Sequence, residues 1–401
     1  MATTAGVDWA KEAHELCVVD EGAVIGRRVV PHDEAGIAGL CRELVELGTE
    51  RVAIERPDGV LVERLLGAGL TVIAIHPNQL KAARARYAVA HGKSDPFDAF
   101  VLAELARTDA HRFAAIRPDS DETKALRALT RAREELVGVR VELANQLRAQ
   151  LEAFWPGALI FADVDSPISL AFLERYPAPA DARGLGPKRM SAFLARNAYC
   201  GRKRPAELLE RLREAPVGTA GELETEARRA AVLGLVAALR PLAAQITEIT
   251  SQIRGALAEH PDAAIFAPLF RDRKTAICPA TLIAELGDAR ERYPTDAALA
   301  ADGGQSPVAV ESGRRKVASF RRACDKRLRG AIATLADSTR HWHPWAQEVY
   351  LLARARGQDH PHAIRTLGRA WVRVLWRCWQ DRVPYDPSLH GNLRRLQRAG
   401  G

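Results

Sequence analysis

The chain has 401 residues, 47% of them hydrophobic, and a net charge of +8. That is long and apolar enough for two or three domains with real cores, and the positive balance favours a polyanionic partner without naming one. Six cysteines (Cys17, Cys41, Cys200, Cys278, Cys324 and Cys378) lie too far apart for a CxxC zinc pair or a disulfide framework, so reduced core thiols in a cytoplasmic protein are expected. The N-terminal Met-Ala-Thr-Thr-Ala-Gly-Val-Asp has no basic region leading into an apolar stretch, so no signal peptide is expected. The longest apolar run, from Ala230 to Ala244, is interrupted by Arg240 and reads as too short to span a bilayer.

Residues 5–9 and 14–20 run or alternate apolar and read as strands, with a third from Ala23 to Val30. Asp33 is placed to cap a helix over 34–47. A short strand from Arg51 to Glu55 precedes a helix from Pro57 to Leu66, then a strand from Thr71 to Ile75. His76-Pro77-Asn78 starts a helix reaching Ala90, and Ser94 caps another over 95–108. A strand meander followed by α/β alternation is the ribonuclease H-like order. Residues 121–154 carry helical spacing and dense Arg/Glu pairs, and read as one long helix of coiled-coil type ended by Pro156 and Gly157. Short helices with a basic Arg202-Lys203-Arg204 stretch fill 158–218. A second long helix over 222–257, kinked at Pro241, pairs with the first as an antiparallel hairpin. A third, largely helical unit starts at Pro261. The expected fold is α/β plus mostly α: a ribonuclease H-like N-terminal domain (1–115), a helical, coiled-coil-like middle (116–260), a helical C-terminal domain (261–387) and a basic tail (388–401).

Four carboxylates stand out: Asp8 in Gly6-Val7-Asp8-Trp9-Ala10-Lys11, Glu55 in Ile54-Glu55-Arg56-Pro57, and Asp95 and Asp98 in Lys93-Ser94-Asp95-Pro96-Phe97-Asp98-Ala99. Alternation in a strand puts Val7 and Trp9 on a core face and Asp8 on the other, open face. Asp95 and Asp98, three apart, share one face of a helix start, where Pro96 is tolerated. Glu55 ends its strand on the edge where α/β sites lie. Singly, each is as well explained by a turn, a cap or a dipole-favoured charge. Together, in matching contexts, they point to a cation site, since gathered carboxylates repel without one. Hard divalent ions, Mg²⁺ or Mn²⁺, suit oxygen ligands and are the usual means of cutting phosphodiesters.

These segments resemble the DEDD-type insertion-sequence transposases and their Piv-like invertase relatives, the bridge-RNA-guided recombinases, over nearly the whole chain. The resemblance implies a RuvC-like N-terminal domain in which Asp8, Glu55, Asp95 and Asp98 form the metal-binding catalytic tetrad. It extends to Gly303-Gly304-Gln305-Ser306-Pro307-Val308-Ala309-Val310-Glu311-Ser312-Gly313-Arg314-Arg315-Lys316, which looks like the family's serine transposase motif, Pro-x-x-x-x-Ser-Gly. Pro307 and Ser312-Gly313 fit that spacing, so the resemblance makes Ser312 the nucleophile. The residues alone leave a Ser-Gly turn beside a solvated basic run equally open, with Ser306 and Ser319 as rival serines. Arg314, Arg315 and Lys316 suit an incoming phosphate, and Arg321 and Arg322, on a helix expected to follow, extend the nucleic-acid-facing set. The family's Gly-x-Gly hairpin turn is replaced here by Arg271-Asp272-Arg273-Lys274, where Arg271, Arg273 and Lys274 take over phosphate contact as charges.

Trp342, Trp345, Trp371, Trp376 and Trp379 read as helical core rather than base-stacking platforms, and His341, His343, His360 and His362 as loop and cap residues rather than a metal site. The implied function is a DNA transposase or site-specific recombinase that cleaves and rejoins strands through the serine. By the resemblance, it acts on element ends and target DNA with a structured guide RNA, as a dimer or tetramer, away from any membrane. The alternatives are a RuvC-like nuclease acting by hydrolysis, an inactivated nucleic-acid-binding remnant, and an actin-like or sugar-kinase ATPase. The last is disfavoured because Trp9-Ala10-Lys11 stands where such proteins carry a Gly-rich phosphate turn.

Overall fold

Alternating apolar residues in the first thirty positions build a meander that seeds the N-terminal sheet. Strands β1 (Thr4–Asp8), β2 (Ala13–Asp20) and β3 (Ala23–Pro31) pair antiparallel in succession, and β4 (Arg51–Ile54) and β5 (Thr71–Ala74) add in parallel on the other side of β1. The sheet order is β3-β2-β1-β4-β5, the ribonuclease H-like arrangement that the element order predicts. In this computed structural model the described residues are 3–87, 94–216, 218–270, 276–312 and 315–390, with the side chains of Ser312, Arg315, Lys316 and Leu389 left outside the description. They divide into two compact units, Met1–Ser120 with Asp288–Pro294, and Asp121–Gly287 with Thr295–Gly401.

Helices cover both faces of the sheet in the first unit. Ala5, Val7, Leu16, Val18, Val52 and Ile54 share one core with Ile37, Leu40 and Leu44 of α1 (Glu34–Glu46) and Leu61, Val62 and Leu65 of α2 (Val60–Gly67). Each such fully buried aliphatic side chain contributes about 1.5–3 kcal/mol. Asp33 caps α1, accepting from the Gly36 amide at 2.7 Å, as its position implies. The opposite face meets α3 (Pro77–Tyr87) and α4 (Asp95–Thr108), whose Leu80, Val101, Leu102, Leu105 and Ala106 join Ala53 and Ile73. So the face carrying Asp8 is covered by α4, where the sequence suggested an open side.

One residue sets how close α4 lies. A Cβ on Gly6 would collide with the Ala99 carbonyl oxygen and the Ala103 nitrogen and sit 2.8 Å from Leu102 Cβ. Strand β1 and α4 therefore touch backbone to backbone, which no other residue type permits. Gly6→Ala is expected to cost about 1–3 kcal/mol through forced displacement of α4. Urea unfolding would detect this as a lowered midpoint at constant slope, and an unchanged midpoint would contradict the contact.

The second unit is built on α5 (Asp121–Phe154) and α9 (Glu222–Glu259), which run antiparallel: Arg133 reaches Thr250 and Arg228 reaches Gln150. Helices α6 (Pro167–Arg175), α7 (Pro187–Arg196) and α8 (Pro205–Glu214) enclose an aromatic core of Phe154, Trp155, Phe172 and Phe193 at one end. Pro241 lies inside α9, as expected. The expectation that the apolar run is too short to cross a membrane is corrected: α9 is long and apolar enough by length and composition. The sequence estimate took Arg240 as a break, but the helix continues through it, and Arg240 reaches Glu174 on α6. Its buried side chains are Val232, Val236, Leu239, Ile246 and Ile253.

The remaining elements are α10 (Ala263–Phe266), α11 (Ile277–Leu286), α12 (Asp296–Asp302), a β6 (Val308–Ser312) and β7 (Arg315–Ser319) hairpin, α13 (Lys326–Thr339), α14 (Pro344–Ala355) and α15 (His360–Asp381). The hairpin is an addition to the helical unit read from the sequence. Trp345, Trp371 and Trp379 are buried core residues, as expected. His343 caps α14 through Nδ1, so its neutral ring carries the proton on Nε2, 2.9 Å from the Tyr385 hydroxyl. Burial, aided by His390, pushes His343 down to about 4. The unfolded chain therefore binds a proton between about pH 6.5 and 4 that the folded chain refuses. Stability is full above that window and falls as pH drops through it, by up to about 3 kcal/mol. Denaturant midpoints measured across the window are expected to drop in the wild type and to flatten in His343→Gln.

Candidate active site

Thr4, Gly6 and Asp8 alternate onto the α4 side of β1. Thr4 Oγ1 donates to the Ala103 carbonyl at 3.1 Å, and Gly6 abuts Ala99. Two residues of strand advance about 6.6 Å and four of helix about 6 Å, so the next step in this series sets Asp8 beside Asp95. Asp8 and Asp95 indeed line one cavity of about 380 Å³, together with Lys11, Glu12, His14 and Glu15. Ser94 holds the N-cap position of α4 in extended conformation, but it makes no side-chain cap bond; its carbonyl accepts from the Phe97 and Asp98 amides.

Glu55 follows β4, whose Ile54 pairs with Val7 of β1, so Asp8 and Glu55 leave adjacent strand ends. The next residues tie those ends together, with the Arg56 guanidinium 4.8 Å from the Trp9 ring centre. Asp98 is only 2% exposed and is gripped by Arg84 of α3 through two bonds, Nε to Oδ1 at 2.5 Å and Nη2 to Oδ2 at 2.6 Å. These bonds raise the Arg84 pKa most, burial opposes them, and the charges of Asp98, Glu55 and Asp8 add to the rise. One guanidinium thus sits within the field of three of the four carboxylates.

The structure brings Asp8 and Asp95 into one cavity, sets Glu55 at the neighbouring strand end, and turns Asp98 to Arg84. Among the described residues, no three His, Cys, Asp or Glu side chains are gathered tightly enough to share one ion. The donor chemistry, carboxylate oxygens of Asp8 and Asp95 in one cavity with Glu55 at the neighbouring strand end, fits a hard divalent metal.

Sequence reasoning missed Arg84. The available signal was Leu80, the buried anchor of a polar helix, with Arg84 one turn on along the same face. It also missed the pair of His14 and His32. His14 is fully buried, accepts from the Ala10 amide through Nδ1 at 3.4 Å, and meets His32 Nδ1 through Nε2 at 2.8 Å. Burial, then His32, lowers its pKa.

In the second unit, Ser312 ends β6 and pairs with Arg315. Arg271, Arg273, Lys274 and Arg314 lie outside the described residues, as do the side chains of Ser312, Arg315 and Lys316. Arg321 and Arg322 are corrected from a helical position: they precede α13, which Asp325 caps from the amides of Arg327 and Leu328. Arg321 Nε donates to the Ser306 carbonyl at 3.1 Å.

The sheet order β3-β2-β1-β4-β5 defines a ribonuclease H-like α/β domain. Residues 5–156 match the DEDD transposase family of IS110, and residues 276–351 match the IS116/IS110/IS902 transposase family. The chain is 31% identical to the mini-circle transposase assigned to IS117 of Streptomyces coelicolor, covering 95% of this chain and 94% of that protein. It is 27% identical to the 44.8 kDa protein of insertion element IS116 from Streptomyces clavuligerus, covering 96% of each. Among solved structures, Thermus thermophilus RuvC in complex with a Holliday junction matches at 21% identity and TM-score 0.23, over 29% of this chain and 99% of that one. The chain belongs to the IS110/IS116 family of transposases, enzymes that cut and rejoin DNA.

Arg84→Met leaves Asp98 buried without a counter-charge and is expected to destabilise the first unit by about 3 kcal/mol. Added Mg²⁺ is expected to restore more thermal stability to this variant than to the wild type. Equal melting of variant and wild type in chelator would contradict the role given to Arg84.

Proposed function

We propose that this transposase cleaves and rejoins insertion-sequence DNA with a divalent metal at Asp8, Glu55, Asp95 and Asp98 and with Ser312 as nucleophile. The observation that supports the reading is that Asp8 and Asp95 line one cavity, while Asp8, Glu55 and Asp98 lie within the field of the Arg84 guanidinium. Mg²⁺ or Mn²⁺ bound there supplies charge stabilisation to a phosphate in transfer. Asp8 and Asp95, which line the cavity, would hold it together with Glu55 at the adjacent strand end, and Asp98, held by Arg84, would complete the set. Ser312 Oγ forms a new ester to phosphorus as the deoxyribose oxygen departs with a proton, so the phosphoester bond is kept for rejoining. Arg314, Arg315, Lys316, Arg321 and Arg322, with Arg271, Arg273 and Lys274, contact the nucleic-acid backbone. Sequence choice rests with a structured RNA of the element, and the chain works as a cytoplasmic homo-oligomer, dimer or tetramer, in which one copy's metal site serves another's serine. The division of the chain into 1–115, 116–260, 261–387 and a tail 388–401 follows the same reading.

The test incubates the protein with DNA carrying the element's ends, RNA transcribed from its non-coding flank, and Mg²⁺. The wild type is expected to form a detergent-resistant protein–DNA adduct, Ser312→Ala to bind without forming it, and Asp95→Ala to lose metal-dependent cleavage. An adduct surviving in Ser312→Ala transfers the role to Ser306 or Ser319. Unaltered cleavage by Asp95→Ala refutes the tetrad, and cleavage by the wild type with no adduct makes the protein a hydrolytic nuclease.

A further inference from the structure

A second charged site lies in the helical unit, beneath the β6–β7 hairpin. A cavity of about 470 Å³ opens there between the segment after β7 and one face of α15. His362, Arg365, Thr366 and Arg369 line it from α15, spaced by three, one and three, which is one stripe of a helix. Arg321 faces them from the other wall, its Nε tied to the Ser306 carbonyl. Between them stands Phe320, 46% exposed, with the guanidinium of Arg365 5.1 Å and that of Arg329 5.3 Å from its ring centre. A neighbouring cavity of about 800 Å³ shares Gln305, Phe320 and Arg365 with the first.

The charge in this place is one-sided. Among the described residues, Arg321, Arg329 and Arg365 make no ion pair, while the nearby carboxylates are already taken, Asp296 by Arg369 and Asp337 by Arg340. Two unneutralised guanidinium groups over one exposed ring, with a third in the cavity wall, repel each other, and an anion relieves that repulsion. A planar fork on an aromatic face holds a phosphate while leaving the ring's flank for a flat partner. Gln305 adds a third element. It is 5% exposed, its Nε2 donates to the Gly303 carbonyl at 3.1 Å, and its Oε1 is buried with no donor. That atom is fully buried and turned towards Gly368 of α15, so Gln305 shapes the wall common to both cavities without offering a ligand an acceptor.

We propose that this pocket takes one unpaired nucleotide of a nucleic-acid strand, its phosphate held by Arg321 and Arg365 and its base laid against Phe320. The volume suits such a ligand. A duplex keeps its bases stacked inside and offers the ring nothing, so the pocket selects single strands. The proposal deepens the reading of the protein as a nucleic-acid enzyme and rests on it. It adds Phe320, Arg329, His362 and Arg365 to the contact surface, none of which belongs to the acidic centre or the serine motif.

The test measures binding of short fluorescein-labelled oligothymidylate and oligouridylate to the full chain by anisotropy, with metal chelated so that cleavage plays no part. Single strands are expected to bind better than a duplex of equal length, and the tighter of the two names the strand as DNA or RNA. Arg365→Ala and Phe320→Ala are each expected to weaken binding about tenfold. Arg365→Lys is expected to lose most of the same affinity, because an ammonium keeps the charge but neither forks nor lies flat on the ring. In the wild type, a photoreactive 4-thiothymidine strand is expected to crosslink within the peptide containing Phe320. Crosslinks found only outside residues 304–369 would overturn the proposal, as would variants binding within about twofold of wild type. Equal weakening for duplex and single strand reduces the pocket to a backbone patch, and displacement by inorganic phosphate at matching concentration reduces it to a free-anion site. Either result overturns it. With metal chelated the acidic centre takes no part in this binding, so failure of that centre and failure of this pocket are read separately.

Discussion

The acidic centre depends on how closely one helix can approach one strand. Backbone contact of α4 with β1 at Gly6 decides that Thr4, Gly6 and Asp8 meet Ala103, Ala99 and Asp95 in sequence. A side chain at Gly6 would lift the helix start away from Asp8. The same approach creates an electrostatic problem. Two carboxylates about 5 Å apart repel by about 3 kcal/mol at an effective dielectric of about 20, and this end of the sheet carries four. Arg84 offsets part of that cost with a bidentate grip on the most buried of them, Asp98. Lysine would place a charge there but not two parallel bonds, and would leave one Asp98 oxygen unmatched in a dry setting.

Much of the secondary structure was legible because its signals are local. The strand meander, the Asp33 cap, the helix from Asp95 to Thr108 and the long helix from Asp121 to Phe154 all follow from period, cap and breaker residues. The helix start that carries Asp95 and Asp98 was readable, but not that Asp95 lines the Asp8 cavity while Asp98 turns to Arg84. What the sequence hid was tertiary. Which face of β1 receives a helix depends on a glycine's missing side chain meeting another backbone, and no pattern within either segment announces it. Arg84 was hidden for the same reason, since one arginine among several on a polar helix gains its meaning only from the carboxylate across from it. The β6–β7 hairpin escaped because its strands are five residues each and flanked by helix-forming segments. Extending a helix back to Arg321 failed because Asp325 accepts from the amides of Arg327 and Leu328, which starts α13 at Lys326.

The two units carry opposite chemistry. The first gathers carboxylates with one arginine among them. The second lines its cavity with Arg321 and Arg365, which lack carboxylate partners among the described residues, and with Arg369, which Asp296 neutralises, beside an exposed phenylalanine. Their folding logic differs as well. The acids sit at strand ends and a helix start, positions fixed by sheet register and by a covered face. The bases sit on one stripe of α15 and on the extended segment after β7, where a long side chain reaches over a ring and keeps its head in solvent.

That division has a physical reason in a protein that handles a polyanion. Four carboxylates repel the phosphate that the family's chemistry acts on, so the acidic centre contributes little to affinity for a nucleic-acid strand and much to what happens once a strand is held. Affinity has to come from groups of the other sign, and these act best where no carboxylate competes for them. On the proposed reading, Arg321 and Arg365 hold a strand by charge and Phe320 by stacking, without any need for metal, while Asp8, Glu55, Asp95 and Asp98 act only when a metal reverses their sign. Binding and cleavage then respond to different conditions. Salt weakens the first by screening and by counterion release, and chelation removes the second while leaving the first in place.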